Sequence, residues 1–374
     1  MMTAANELNF SAGPGALPAE VLDAVREAVV ALPETGLSVL CTSHRSAWFE
    51  DLLAEAEANL RHLLAVPASH GIVFLQGGSS LQFSMIPANF APPSCDDPLY
   101  VRSGYWSAKA IAEAGCVRPV AVLWDGAAEG FRTLPTTTAL AARRAERPRR
   151  SAAPAYLHYV SNETVEGLQF ADAPGLTDLP QVADMSSDFL SRPADVAGHA
   201  FLYAHAQKNL GPAGVTVCVL DRQLLERVPA GLPPMLDYRT HLQHGSNYNT
   251  PPVFGIYVLT LVTRWLRDTI GGLAAMHRIN QDKAARLYRT LEGLDGLVHM
   301  HAEPRVRSLM NVPFRFHDPR LDALFLEQAT AAGFSGLAGH RALGGLRASL
   351  YNAVTPTAVA RLCDFVTDFA AAHG

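Results

Sequence analysis

The sequence predicts an α/β fold: a large unit on a mostly parallel sheet, followed by a smaller α+β unit at the C-terminal end. Two observations carry this. Short apolar runs recur from Gly71 to Leu220, and several of them end in a cluster of small or polar residues, with helical periodicity between some of the runs. Polar groups placed just past successive apolar strands are the pattern of a parallel sheet that binds a ligand at its strand ends. The second observation is a change of pattern at about Thr263, after which long helical stretches enclose one alternating strand, Met310 to Phe316. The expected division is an arm over 1–15, a large unit over 16–265 and a small unit over 266–374.

In chain order, the arm ends in Ser11-Ala12-Gly13-Pro14-Gly15, and Pro18-Ala19-Glu20-Val21 opens an amphipathic helix. A second helix is predicted from about Phe49 to Leu64. The strand Gly71 to Leu75 then meets Gln76-Gly77-Gly78-Ser79-Ser80, the kind of junction that offers free backbone N–H groups to an anion. Further strands are Pro98 to Val101, Ala155 to Val160, Pro180 to Ala183, Ala200 to Tyr203 and Gly214 to Leu220. Ala141 to Arg150, basic and containing Pro148, reads as an exposed connector. Helices are expected over Gly272 to Leu291, Leu321 to Ala332 and Thr355 to Ala371.

The 374 residues are 49% hydrophobic, enough to bury a large core. A net charge of -5 with no basic stripe argues against a nucleic-acid partner. The most apolar stretch, Val253 to Val262, is too short to span a bilayer, and Met1 to Phe10 lacks the pattern of a secretory signal. Five scattered cysteines contain no C-x-x-C pair, so neither a metal site nor a disulfide framework is expected. The expectation is a soluble, cytoplasmic protein.

Lys208 lies between two apolar strands, in Gln207-Lys208-Asn209-Leu210-Gly211. A lysine attacks a carbonyl well only when desolvation or nearby positive charge lowers its pKa, and a buried strand end supplies the first. Alone, the same residue reads better as a surface lysine at a turn. Asp184 ends an apolar strand one crossover upstream, and a buried carboxylate is what a pyridinium nitrogen needs to stay protonated. By itself Asp184 reads equally as a helix N-cap. Gly78, Ser79 and Ser80 are candidates for a phosphate cradle or form an ordinary turn that binds nothing, Trp106 stacks on a ring or is simply core, and Thr164 meets a ring hydroxyl or starts a helix. Arg347, with His340 and Arg341 before it, and the pair His44 and Arg45 form two arginine clusters suited to a substrate with two anionic ends, or to surface ion pairs.

These stretches together resemble the phosphoserine aminotransferase family, fold type I enzymes of the class V group. The likeness runs through Asn9 to Pro14, Ser43-His44-Arg45, Gly104-Tyr105-Trp106, Asn162-Glu163-Thr164, Ala183 to Ser187 and Leu190 to Pro193. It continues through Gln207 to Gly214, Asn249 to Pro252, Met310 to Pro313, Gly339 to Arg341 and Gly344 to Ser349. The resemblance implies a fold type I transferase using pyridoxal 5'-phosphate. It would move an amino group between L-glutamate and 3-phosphohydroxypyruvate in serine biosynthesis, with a possible second substrate in the four-carbon phosphorylated oxo acid of pyridoxine biosynthesis. It implies that Lys208 holds the cofactor aldehyde and shuttles the substrate proton, that Asp184 pairs with the ring nitrogen, that Trp106 stacks and that Thr164 meets the ring hydroxyl. Ser79, Ser80 and Gln207 would surround the phosphate, joined by Asn249 and Thr250 from a neighbouring subunit of a homodimer. Arg347 would take the substrate α-carboxylate, and His44, Arg45, His340 and Arg341 the distal anion. The runner-up is another class V activity, such as an alanine–glyoxylate-type transaminase; a desulfurase is disfavoured because no cysteine lies between His301 and Arg347. Two positions depart from the family pattern. Ser80 stands where some members carry arginine, and His205 where glycine is common; the imidazole either faces Lys208 or packs into the fold.

Overall fold

The computed structural model describes residues 4–148, 152–176, 178–294 and 296–373. The first three residues of the expected arm, and Arg149 and Arg150 of the expected connector, lie outside them.

The main sheet has seven strands: β1 (His70–Leu75), β2 (Leu99–Arg102), β3 (Ala121–Asp125), β4 (Leu157–Val160), β7 (Gln181–Asp184), β8 (Phe201–His205) and β9 (Thr216–Asp221). A short hairpin, β5 (Asn162–Glu163) with β6 (Leu168–Gln169), follows β4. Across the main sheet the order is β1-β9-β8-β7-β4-β2-β3. All neighbours pair in parallel except those of β9, which is antiparallel to both β8 and β1. β9 therefore runs against the other strands, and the turn joining it to β8 carries Lys208.

Side chains alternate across the strands and divide the core into two layers. Ile72 and Phe74 enter the layer that contains Phe49, Leu52, Ile256 and Leu259. Those residues belong to α3 (Ala47–Leu64) and α8 (Val253–Arg264), with α2 (Ala19–Val30) beside them. Val73 and Leu75 enter the opposite layer, with Phe83, Ile86 and Phe90 of α4 (Gly78–Phe90), Ala110 and Ala114 of α5 (Tyr105–Val117), and Tyr238 of α7 (Tyr238–Gln243). No helix among the described residues is long and apolar enough to cross a membrane.

A third core surrounds the antiparallel sheet β10 (Val298–Met300), β11 (Asn311–Phe316) and β12 (Leu346–Ser349). Packed on it are α9 (Leu273–Glu292), α10 (Pro319–Ala331) and α11 (Pro356–His373). The arm joins this core rather than the large one. It begins with a short helix, α1 (Ala4–Glu7). Leu8 and Phe10 are buried there, and Phe10 N–H donates to Ser335 O at 2.9 Å.

One expectation fails. The segment read as a connector forms most of α6 (Thr137–Glu146). The Thr136 side chain caps it by accepting from Ala139 N–H, and Leu140 is fully buried beneath it. A cap and a single buried leucine are enough here, whereas the arginines dominate the local composition.

Candidate active site

The C-terminal ends of β2, β4, β7 and β8, with the turn after β1, close around a cavity of about 230 Å³. Ser79, Ser80, Trp106, Thr164, Asp184, Gln207 and Lys208 all line it. Strand ends gather these residues because each parallel strand delivers its next loop to the same edge of the sheet.

The Lys208 side chain is buried, and its Nζ donates to Thr164 Oγ1 at 2.8 Å. Burial lowers its pKa to about 8; the charge of Asp184 opposes that fall and the charge of Arg347 adds to it. Nζ lies 5.8 Å from the Trp106 ring centroid. The arm closes over the back of this lysine: Gly15 N–H donates to Gln207 O at 2.7 Å. A Cβ at Gly15 would stand 2.7 Å from Tyr351 Cδ2 and 2.8 Å from Lys208 O, so only glycine permits this approach.

Asp184 is buried, which raises its carboxyl to about 6 against the opposing hydrogen bonds from Ser186 and the charge of Lys208. At neutral pH it is mostly ionised. Ser186, whose role the sequence reading missed, holds it through both its N–H and its hydroxyl. Gly77 and Gly78, at φ of 91° and 65°, turn the chain from β1 into α4. The first N–H groups of α4 lack helical partners and lie at the positive end of its dipole. A Cβ at Gly78 would meet nothing within 4 Å, so this turn opens onto free space.

Arg347 is on β12 and reaches the same region from the C-terminal unit; its Nη1 donates to Thr164 O at 3.3 Å. His340 stacks at a tilt on Tyr105, with ring centroids 4.7 Å apart, and Arg341 beside it is exposed. Two buried carboxylates also went unassigned in the sequence. Glu163 accepts from Trp106 and Ser107 N–H, both at 3.0 Å, and Glu166 from Tyr105 N–H at 2.8 Å, which seats the start of α5. Their signal was present: acidic groups at a helix N-terminus complement its dipole, but the contact spans nearly sixty residues of chain.

His44, Arg45, Asn249 and Thr250 do not line this cavity. They form a separate patch near the edge strand β1. Asn247 Nδ2 donates to His44 O at 3.0 Å, and Gln76 Nε2 donates to Thr250 O at 2.9 Å. His205, left undecided by the sequence, does line the cavity.

The residues present fit pyridoxal phosphate. Beyond the lysine, the carboxylate and the open helix start, several buried polar atoms have no protein partner: Trp106 Nε1, His205 Nδ1 and Arg347 Nε. Such groups are rare unless a ligand or water completes them.

The aminotransferase class-V family model matches residues 7–362. Fold and site thus define the class, a pyridoxal-phosphate-dependent aminotransferase of fold type I. The chain is 45% identical to a phosphoserine aminotransferase of Geobacillus kaustophilus over 361 residues, 96% of this chain and 97% of that one. The solved phosphoserine aminotransferase of Bacillus circulans subsp. alkalophilus superposes with a TM-score of 0.92 at 40% identity, covering 98% of each chain. A pyridoxal-phosphate-bound phosphoserine aminotransferase from Trichomonas vaginalis gives 0.86 at 35% identity, covering 96% of this chain and 99% of that one. The chain belongs to the class V aminotransferases and, within them, to the phosphoserine aminotransferase family. These relatives favour that activity over the alanine–glyoxylate type.

Proposed function

We propose that this enzyme transfers the amino group of L-glutamate to 3-phosphohydroxypyruvate, giving 3-phosphoserine and 2-oxoglutarate, and that it also accepts the related four-carbon phosphorylated oxo acid. The observation that carries this reading is the buried Lys208 amine at the strand ends of the main sheet, within reach of the charges of Asp184 on that sheet and of Arg347 from the C-terminal unit. When bound, the cofactor supplies a protonated pyridine ring that accepts the electron pair left at the substrate α-carbon.

Each residue has a part in that chemistry. Asp184 would keep the proton on the ring nitrogen. The free Lys208 amine, with its pKa lowered towards neutrality, would take the proton from the substrate α-carbon and return it to the opposite end of the conjugated system. Trp106 would cover one ring face and Thr164 would meet the ring hydroxyl. Ser79, Ser80 and Gln207 would hold the phosphate, and the Arg347 fork would hold the α-carboxylate.

The patch carrying His44, Arg45, Asn249 and Thr250 lies apart from its own subunit's cavity. This supports a homodimer in which Asn249 and Thr250 complete the partner's phosphate site. Because Asn247 ties the two loops together, His44 and Arg45 would travel with them to the partner's substrate, joined there by His340 and Arg341. A division near residue 265 into a large and a small unit is part of the same proposal; the separate cores support two units, although Leu273 and Met276 at the start of α9 still pack into the large one. A cytoplasmic setting belongs to the same proposal, supported by cysteines that all stand free.

The test is a comparison of oxo-acid acceptors after loading with L-glutamate. The phosphorylated three-carbon acid should react at least about a hundredfold faster, in kcat/KM, than pyruvate, a difference of about 2.7 kcal/mol. Equal rates would defeat the substrate assignment.

A further inference from the structure

His205 is a titratable cavity-lining residue that the proposed chemistry leaves unused. Its position follows from the sheet. Tyr203, two residues earlier on β8, points to the face covered by α4, where its ring meets Phe83 at 6.4 Å. Alternation along the strand sends His205 to the same face. In register, His205 pairs with Thr216, and Thr216 pairs with Leu75, the last residue of β1. Gly77 and Gly78 follow one residue after Leu75 and open α4. The imidazole therefore emerges beneath the N-terminus of α4, and it shares the cavity wall with Gly77, Gly78, Ser79 and Gln207.

His205 Nδ1 is buried here without a protein partner, as is Oγ1 of Thr216, its neighbour on β9, which does not itself line the cavity. Leaving such a group unsatisfied is costly. The surroundings also select the sign of any ligand. The helix start presents positive potential and free N–H groups, and Lys208 adds a positive charge nearby. Burial, then Lys208, holds the imidazole's pKa down at about 3, so it stands neutral and keeps one ring N–H to donate. An anion suits the free N–H groups, the ring N–H and the positive charge of this corner, whereas the helix start and Lys208 repel a cation.

We propose that His205 is a binding residue for the cofactor phosphate, donating a ring N–H to the dianion at the N-terminus of α4. This rests on the reading of the cavity as a pyridoxal phosphate site. It adds a donor to those expected from Ser79, Ser80 and Gln207, and accounts for a bulky polar residue so close to the lysine.

The test uses cofactor-free full-length protein, titrated with pyridoxal phosphate and with pyridoxal, which lacks the phosphate. Thermal unfolding of each cofactor-free variant checks that it folds. His205→Ala should raise the Kd for pyridoxal phosphate about tenfold and leave that for pyridoxal within about twofold. Inorganic phosphate should compete with pyridoxal phosphate in the native protein and correspondingly less in the variant. His205→Gln, which keeps a donor, should recover most of the loss. An unchanged Kd for pyridoxal phosphate in both variants, or an equal loss for both ligands, overturns the inference. Failure of the unaltered protein to prefer pyridoxal phosphate over pyridoxal overturns the cavity assignment itself.

Discussion

Ser186 donates its backbone N–H to Asp184 Oδ1 at 2.9 Å and its hydroxyl to the same oxygen, while its own Oγ lies 2.5 Å from Ser79 Oγ. One chain of hydrogen bonds thus runs from the start of α4 to the carboxylate at the end of β7. It fixes Asp184 by one oxygen and leaves the other for a ring nitrogen.

Asp184→Asn keeps the size and the Ser186 contacts but loses the charge. The account predicts a fall in kcat of at least about a hundredfold, equivalent to about 2.7 kcal/mol, with little change in the melting temperature of the cofactor-free protein. Steady-state kinetics and thermal unfolding check both halves.

Glu166 makes a prediction about pH. Burial first, then the charge of Glu163, pushes its carboxyl up to about 8, and its Oε2 is buried without a partner. The folded protein binds this proton more tightly than the unfolded chain does. Stability from this group therefore falls as pH rises from about 4, the ordinary glutamate value, to about 8, and is flat beyond. Glu166→Gln should remove that slope and leave the protein more stable at pH 9 by roughly 2 kcal/mol or more, as read by urea unfolding at pH 6 and pH 9.

Gly15→Ala tests the arm. The added methyl would press on Tyr351 and on the Lys208 carbonyl. The expected cost is about 1–3 kcal/mol of stability, with a lower kcat because the lysine backbone must shift. Unchanged unfolding and kinetics would mean that the arm does not hold Lys208.

The proposed dimer makes a complementation prediction. Lys208→Ala and Asn249→Ala proteins should each be weak alone, but mixed subunits should regain activity, since one site in each hybrid is intact. Activity that merely averages the two parents would place Asn249 in its own subunit's site, or in none.

Much of this site was legible because parallel strands end in polar clusters, and Lys208, Asp184, Trp106 and Thr164 each follow such an end. What was not legible has physical reasons. The apolar run of β9 is buried on both faces and carries no mark of direction, so its reversal is visible only in the pairing. Leu8 and Phe10 look like any apolar pair, and only the fold brings them to the core around β11. Glu163 and Glu166 gain meaning from a helix start far away in sequence, and Ser186 from the carboxylate it clamps. His205 could not be oriented until Tyr203 fixed the parity of β8.

The central claim is that Lys208 bears the cofactor. Borohydride reduction of the holoenzyme followed by peptide mass spectrometry tests it most directly. The account predicts the cofactor's mass on the peptide containing Lys208, and no labelled peptide from Lys208→Ala. A label on any other lysine, or a label that survives in the variant, would contradict it.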